Sequence, residues 1–134
     1  MNKAKITVRG GCHCGAVEYE VMVSRQLLVH ECNCSICSKS GYIHLIVSSN
    51  DFHLLCGKDQ LSEYRFKTGT ARHLFCSRCG IKSFYVPRSN PDGFSVNVNC
   101  LDLPAEVVIA VEEFDGQNWE RNAAALEQLS RHWK

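Results

Sequence analysis

Residues 76–80 read Cys76-Ser77-Arg78-Cys79-Gly80 and stand between two strand-like stretches, 71–76 (ARHLFC) and 82–86 (KSFYV). A C-x2-C pair serves either redox chemistry or a metal. The redox motif belongs between a strand and a helix in a βαβ unit. Strands flank this one on both sides, which favours the metal. Two sulfurs at this spacing turn toward one point, and the following glycine permits the positive φ that folds the chain back. Zinc takes four ligands in a tetrahedron, with thiolates at about 2.3 Å. The pair is therefore half of a site.

Working outward, two more clusters qualify as partners: Cys12-His13-Cys14-Gly15 and Cys32-Asn33-Cys34-Ser35-Ile36-Cys37. Cys56 and Cys100 stand alone. Seven clustered cysteines divide naturally as four and three. Four sulfurs close a structural site, whereas three leave a position for water or substrate. Spacing alone allows Cys76 and Cys79 to join either Cys12 and Cys14 or Cys34 and Cys37. Ligand type also admits iron.

The rest of the chain reads mostly as short strands. Residues 17–23 (VEYEVMV) alternate apolar and polar at period two, as a half-buried strand does. Further strands are expected at 6–9, 44–49, 52–56, 61–67, 71–76, 82–86, 94–99 and 107–114, while 27–29 is ambiguous. Thr68-Gly69-Thr70 is a hairpin signal, and Arg88-Ser89-Asn90-Pro91-Asp92-Gly93 is turn chemistry. Only the C-terminus looks helical: Trp119, Ala123, Leu126, Leu129 and Trp133 fall near helical spacing after cap residues at 115–118. The expectation is one mainly β domain over residues 1–134, antiparallel and sandwich- or barrel-like, with a C-terminal helix.

Composition agrees with a folded domain. The chain has 134 residues, 45% of them hydrophobic and 22% charged, with a net charge of +1. Near-matched, scattered charge gives no footprint for nucleic acid or an anionic membrane. No stretch approaches the roughly 18 apolar residues of a membrane span. Nine cysteines is an odd number, which does not suit a closed disulfide framework. No apolar signal core precedes the first glycines, so a reducing, cytoplasmic setting is expected.

At these residues the chain resembles the glutathione-dependent formaldehyde-activating enzyme family, the centromere protein V/GFA domain. Gly11-Cys12-His13-Cys14-Gly15-Ala16-Val17 with Tyr19-Glu20, the Cys32 to Cys37 cluster, Tyr64-Arg65-Phe66, Phe75-Cys76-Ser77-Arg78-Cys79-Gly80 and Val98-Asn99-Cys100-Leu101-Asp102 carry the likeness. It spans about residues 9–119. Ser83-Phe84-Tyr85-Val86-Pro87-Arg88-Ser89-Asn90-Pro91 and Glu112-Glu113-Phe114-Asp115-Gly116 lean toward the centromere protein V branch. The resemblance implies a β-rich, Mss4-like (β-tent) fold and two zinc ions per chain. It assigns Cys12, Cys14, Cys76 and Cys79 to a structural zinc. Cys32, Cys34 and Cys37 would hold a second, reactive zinc with an exchangeable fourth position. It also implies carbon–sulfur lyase-type chemistry, in which formaldehyde or another small aldehyde condenses with glutathione or a related thiol to an S-hydroxymethyl adduct. The competing expectation is a non-enzymatic zinc module that binds a thiol or a protein partner. Asn33 departs from the histidine that many relatives carry.

Glutathione's two carboxylates call for cations near the site. Lys39, Arg72, Arg78 and Arg88 are the candidates, each more ordinary as a surface charge. Ser38-Lys39-Ser40-Gly41 reads as a plain turn. His44 and His73 sit where they can line a pocket. His13 is expected to point outward, and His30, His53 and His132 read as surface or partly buried. Cys56 reads as core packing. Phe66, Phe75, Phe84, Tyr85 and Phe94 read as core aromatics.

Overall fold

The computed structural model describes residues 5–66, 69, 71–87, 90 and 92–114. Their strands are β1 (Ile6–Gly11), β2 (Glu18–Val23), β3 (Gln26–Cys32), β4 (Ile43–Ser48), β5 (Phe52–Cys56), β6 (Leu61–Tyr64), β7 (His73–Cys76), β8 (Phe84–Tyr85), β9 (Gly93–Asn97) and β10 (Val108–Phe114). A six-residue helix, α1 (Ser35–Ser40), joins β3 to β4. The strands form a three-stranded sheet, β1-β2-β5, a five-stranded sheet, β10-β3-β4-β9-β8, and the β6-β7 ribbon.

The alternation in β2 sets the first sheet's inner face. Tyr19, Val21 and Val23 are buried there, opposite Val8 of β1. One apolar cluster draws on both larger sheets, with Val29, Leu45, Val47, Phe84 and Val96 contributed by the second. Tyr19, Phe52, Phe84 and Phe94 form its aromatic centre, with ring centroids 4.4 Å apart for Phe52 and Phe94. Each such side chain contributes about 1.5–3 kcal/mol through burial. Tyr19 remains satisfied there by donating its hydroxyl to the Ser83 carbonyl at 2.8 Å.

The architecture is mainly β, and its pairings are antiparallel apart from one. β10 runs parallel to β3, from Val108 opposite Gln26 to Phe114 opposite Cys32. The ambiguous segment 27–29 is thus the middle of β3, fixed by β4 on one side and β10 on the other. Of the other expected strands, 52–56 keeps its ends as β5 and the rest are present with shifted ends. Residues 82–86 shrink to β8, and 94–99 ends at Asn97. There the Asn97 side chain accepts from the Asn99 N–H at 3.1 Å and starts a 3-10 turn.

The expected C-terminal helix lies outside the described residues. The helix that is described, α1, takes in Ser38, Lys39 and Ser40 of the segment Ser38–Gly41 read as a plain turn. Gly41 closes it in the left-handed region at φ 62°, and the Ser40 hydroxyl donates to the Ile36 carbonyl at 2.7 Å. No described helix is long and apolar enough to cross a membrane.

Candidate metal centres

The structure gathers the seven clustered cysteines into two groups. Cys12, Cys14, Cys76 and Cys79 form one, with all sulfurs within 4.8 Å of one another. Cys14 Sγ lies 3.7 Å from both Cys12 Sγ and Cys76 Sγ. Four thiolates bound tetrahedrally at about 2.3 Å stand about 3.8 Å apart, so the quartet fits a zinc ion.

Two similar turns build this quartet. Cys12 follows β1, and its N–H donates to the Val17 carbonyl at 3.0 Å while the Val17 N–H donates to Cys12 Sγ at 3.3 Å. Cys76 ends β7, and the Arg78 N–H donates to its sulfur at 3.3 Å. Gly80 folds back at φ 77°, with its N–H 2.8 Å from the Cys76 carbonyl. Gly11 tolerates no side chain, because a Cβ there would lie 2.2 Å from the Val17 carbonyl oxygen. Burial opposes ionisation of Cys79. Backbone N–H groups of Cys14 and Ile81, with the neighbouring thiols, nevertheless bring it down to about 6.

Cys32, Cys34 and Cys37 form the second group, also within 4.8 Å. Cys32 ends β3, Cys34 caps α1 and Cys37 lies inside it. No fourth histidine, cysteine or acidic side chain joins them among the described residues. The thiols crowd one another. Hydrogen bonds from Cys32 and Cys37 hold Cys34 down to about 2, and those same contacts push Cys37 far above the ordinary thiol range. The crowding opposes ionisation of Cys32 and Cys37 beside Cys34, whereas a dication would let all three ionise.

A polar wall stands behind this trio. Cys37 Sγ is 3.0 Å from His44 Nε2, and His44 Nδ1 is 2.8 Å from Ser95 Oγ. Burial, then the charge on Lys82, brings His44 down to about 3, so it stays neutral. Lys82 Nζ lies over the Tyr85 ring at 3.9 Å and donates to His73 Nδ1 at 2.7 Å. Burial lowers Lys82 to about 8, and the three thiols oppose that fall. On the open side, Cys32 and Cys37 line a cleft of about 720 Å³ with Glu31, Ser38, Tyr42 and Glu113. Its described lining holds two carboxylates and neither lysine nor arginine.

The candidate cations therefore fall elsewhere. Arg72 pairs with Glu63 at 2.9 Å, and Arg78 sits in the Cys76–Cys79 turn. Lys39 is exposed in the last turn of α1, and Arg88 lies outside the described residues. Lys82 is the cation that sequence reasoning missed. Its cue is a lysine directly before the buried Ser83-Phe84-Tyr85.

His44 and His73 are both buried at this wall, and His13 is exposed. His53 is exposed too, and His132 lies outside the described residues. His30 is buried rather than at the surface, because β10 covers it, with Nε2 3.6 Å from Glu112 Oε1. Cys56 is exposed at the end of β5 rather than packed in the core. Asn33 is exposed on the rim of the cleft.

The family profile described as glutathione-dependent formaldehyde-activating enzyme matches residues 7–117 and so takes in every clustered cysteine. The chain belongs to this family. A Halomonas elongata protein provisionally named for glutathione-dependent formaldehyde activation is 32% identical over 80 residues. That match covers 54% of this chain and 51% of the relative, so the chain spans about half the length of the curated relative it matches. A solved Rhodobacter sphaeroides structure is 38% identical with a TM-score of 0.63, covering 76% of this chain and 99% of that one. The matches carry the family and not the centromere protein V branch.

Proposed function

We propose that Cys32, Cys34 and Cys37 hold a zinc ion at an open centre where a small thiol adds to a small aldehyde, formaldehyde and glutathione being the family's pair. In the same reading Cys12, Cys14, Cys76 and Cys79 hold a structural zinc. The observation that carries the proposal is a three-sulfur group that lacks a fourth described ligand and opens onto a cleft.

When bound, zinc would supply a thiolate at neutral pH from an incoming thiol. The protein's own residues supply the rest. Three thiolates around a dication leave a net charge of −1, and the partly buried Lys82 ammonium is the cation whose charge they favour. His44 braces Cys37 from behind. Tyr42 and Tyr85 wall off that side with their rings. In the reaction the thiolate sulfur bonds to the carbonyl carbon. The carbonyl electron pair moves to oxygen, which takes a proton. The protein is read as a cytoplasmic carbon–sulfur lyase, where thiols stay reduced.

The acidic cleft lining favours a second reading. Glu31 and Glu113 oppose the two carboxylates of glutathione, which suits a different thiol or a zinc module that binds without turnover. The rate of S-hydroxymethylglutathione formation, measured against the uncatalysed reaction, decides between them. Acceleration that disappears in Cys34→Ser supports the enzyme. A rate equal to the uncatalysed one, with two zincs bound, supports the module.

A further inference from the structure

Cys37 differs from Cys32 and Cys34 in what stands behind its sulfur. It is 4% exposed, and its partner His44 is 6% exposed. The imidazole packs against Tyr42 and Tyr85, with ring centroids at 4.6 and 5.7 Å, and the two tyrosines touch each other at 5.3 Å. Nε2 faces Cys37 Sγ at 3.0 Å. Nδ1 faces two hydroxyls, Ser95 Oγ at 2.8 Å and Tyr85 at 3.3 Å.

These contacts fix which nitrogen carries the hydrogen. A neutral imidazole has one N–H and one lone pair, and a metal-bound thiolate only accepts. Both hydroxyls can donate. Ser95, the closer hydroxyl, therefore donates to the Nδ1 lone pair, with Tyr85 a longer contact beside it, and Nε2–H donates to Cys37 Sγ. The other tautomer would set a lone pair against a buried thiolate and leave both unpaired, which is costly.

We infer that His44 is a positioning residue of the second centre, whose Nε2–H makes Cys37 the fixed and least nucleophilic of the three ligands. The inference rests on the trio holding a metal. An N–H···S bond draws charge from the sulfur, so hydrogen bonds around a metal thiolate tune it. Cys32 and Cys34, at a strand end and a helix cap and both partly exposed, are then the ligands that adjust when a fourth arrives.

The test is iodoacetamide alkylation of the zinc-loaded protein, mapped cysteine by cysteine. Cys37 should react more slowly than Cys32 and Cys34. In His44→Phe, which keeps a ring packed against the two tyrosines and loses the N–H, Cys37 alkylation should rise about tenfold. Cys12, Cys14, Cys76 and Cys79 should keep their rates, which reports that the fold is intact. Ser95→Ala removes the closer hydroxyl donor and should give a smaller rise. It carries the test alone if His44→Phe does not fold. In cobalt-substituted protein the sulfur-to-metal charge-transfer bands should move to lower energy in these variants, a shift that packing alone would not produce. Unchanged Cys37 rates and bands with two zincs per chain would overturn the role of His44 and leave the centre standing. One zinc per chain in the unmodified protein would remove the centre, and this inference with it.

Discussion

The two sulfur groups are built from the same residue type by different means. The quartet is assembled from two backbone turns whose N–H groups reach its sulfurs: Val17 to Cys12, and Arg78 to Cys76. The trio also takes backbone N–H groups, from Cys37 and Ile36 to Cys34, and adds what the quartet lacks, side chains from the buried wall: His44 on Cys37, with Ser95, Tyr85 and Lys82 behind. The quartet ties the first sheet's β1 end to the β7 end of the ribbon, far apart in sequence. The trio is local, spanning only the β3–α1 junction. A site that joins distant elements has its free energy coupled to folding. A local site with an open side is free to do chemistry instead.

The largest break in this contrast comes from the quartet. Cys79→Ser should lose soluble protein, because removing one ligand costs a structural zinc worth roughly 10 kcal/mol or more in metal-folded domains. Yield and melting temperature beside the unmodified chain measure it. Cys34→Ser should behave oppositely. Stability should change by about 1 kcal/mol or less, while one zinc and the thiol–aldehyde rate are lost. A collapse as severe as that of Cys79→Ser would erase the distinction between the groups.

A third prediction concerns pH. Burial and then the Lys82 charge depress His73 to about 4. The unfolded chain protonates this residue below about 6.5, so it binds more protons than the folded chain between pH 4 and 6.5. Stability present above pH 6.5 is therefore lost as pH falls through that window, by up to ~1.4 kcal/mol per unit. His73→Phe keeps the stacking on Tyr85 and should flatten the acid side of the profile. Parallel profiles for the two proteins would contradict it. A modest loss, read by denaturant titration, should come from Gly80→Ala. A Cβ meets nothing within 4 Å there, so the cost is the left-handed backbone alone, about 1–2 kcal/mol.

Much of this contrast was legible in sequence. Alternation located β2 and β9, and Cys-x2-Cys-Gly between strands pointed to a metal turn rather than a redox helix. What escaped was tertiary. The parallel β10 joins residues remote from β3, and strand patterns do not report direction. Helix α1 is too short for a period to show, and it exists through its Gly41 cap and cysteine contacts. His44 and His73 were legible as pocket-lining histidines, but only the fold of β4 shows that His44 meets Cys37. Lys82 went unnoticed because its value lies in the lack of a nearby carboxylate partner among the described residues, which no motif encodes.

The most direct test of the two-centre account is zinc content per chain by elemental analysis, for the unmodified protein and for Cys34→Ser. The account predicts two zincs falling to one, with Cys34→Ser still folded. One zinc in both proteins would contradict it, because the trio would then be three thiols in a cleft and not a metal centre.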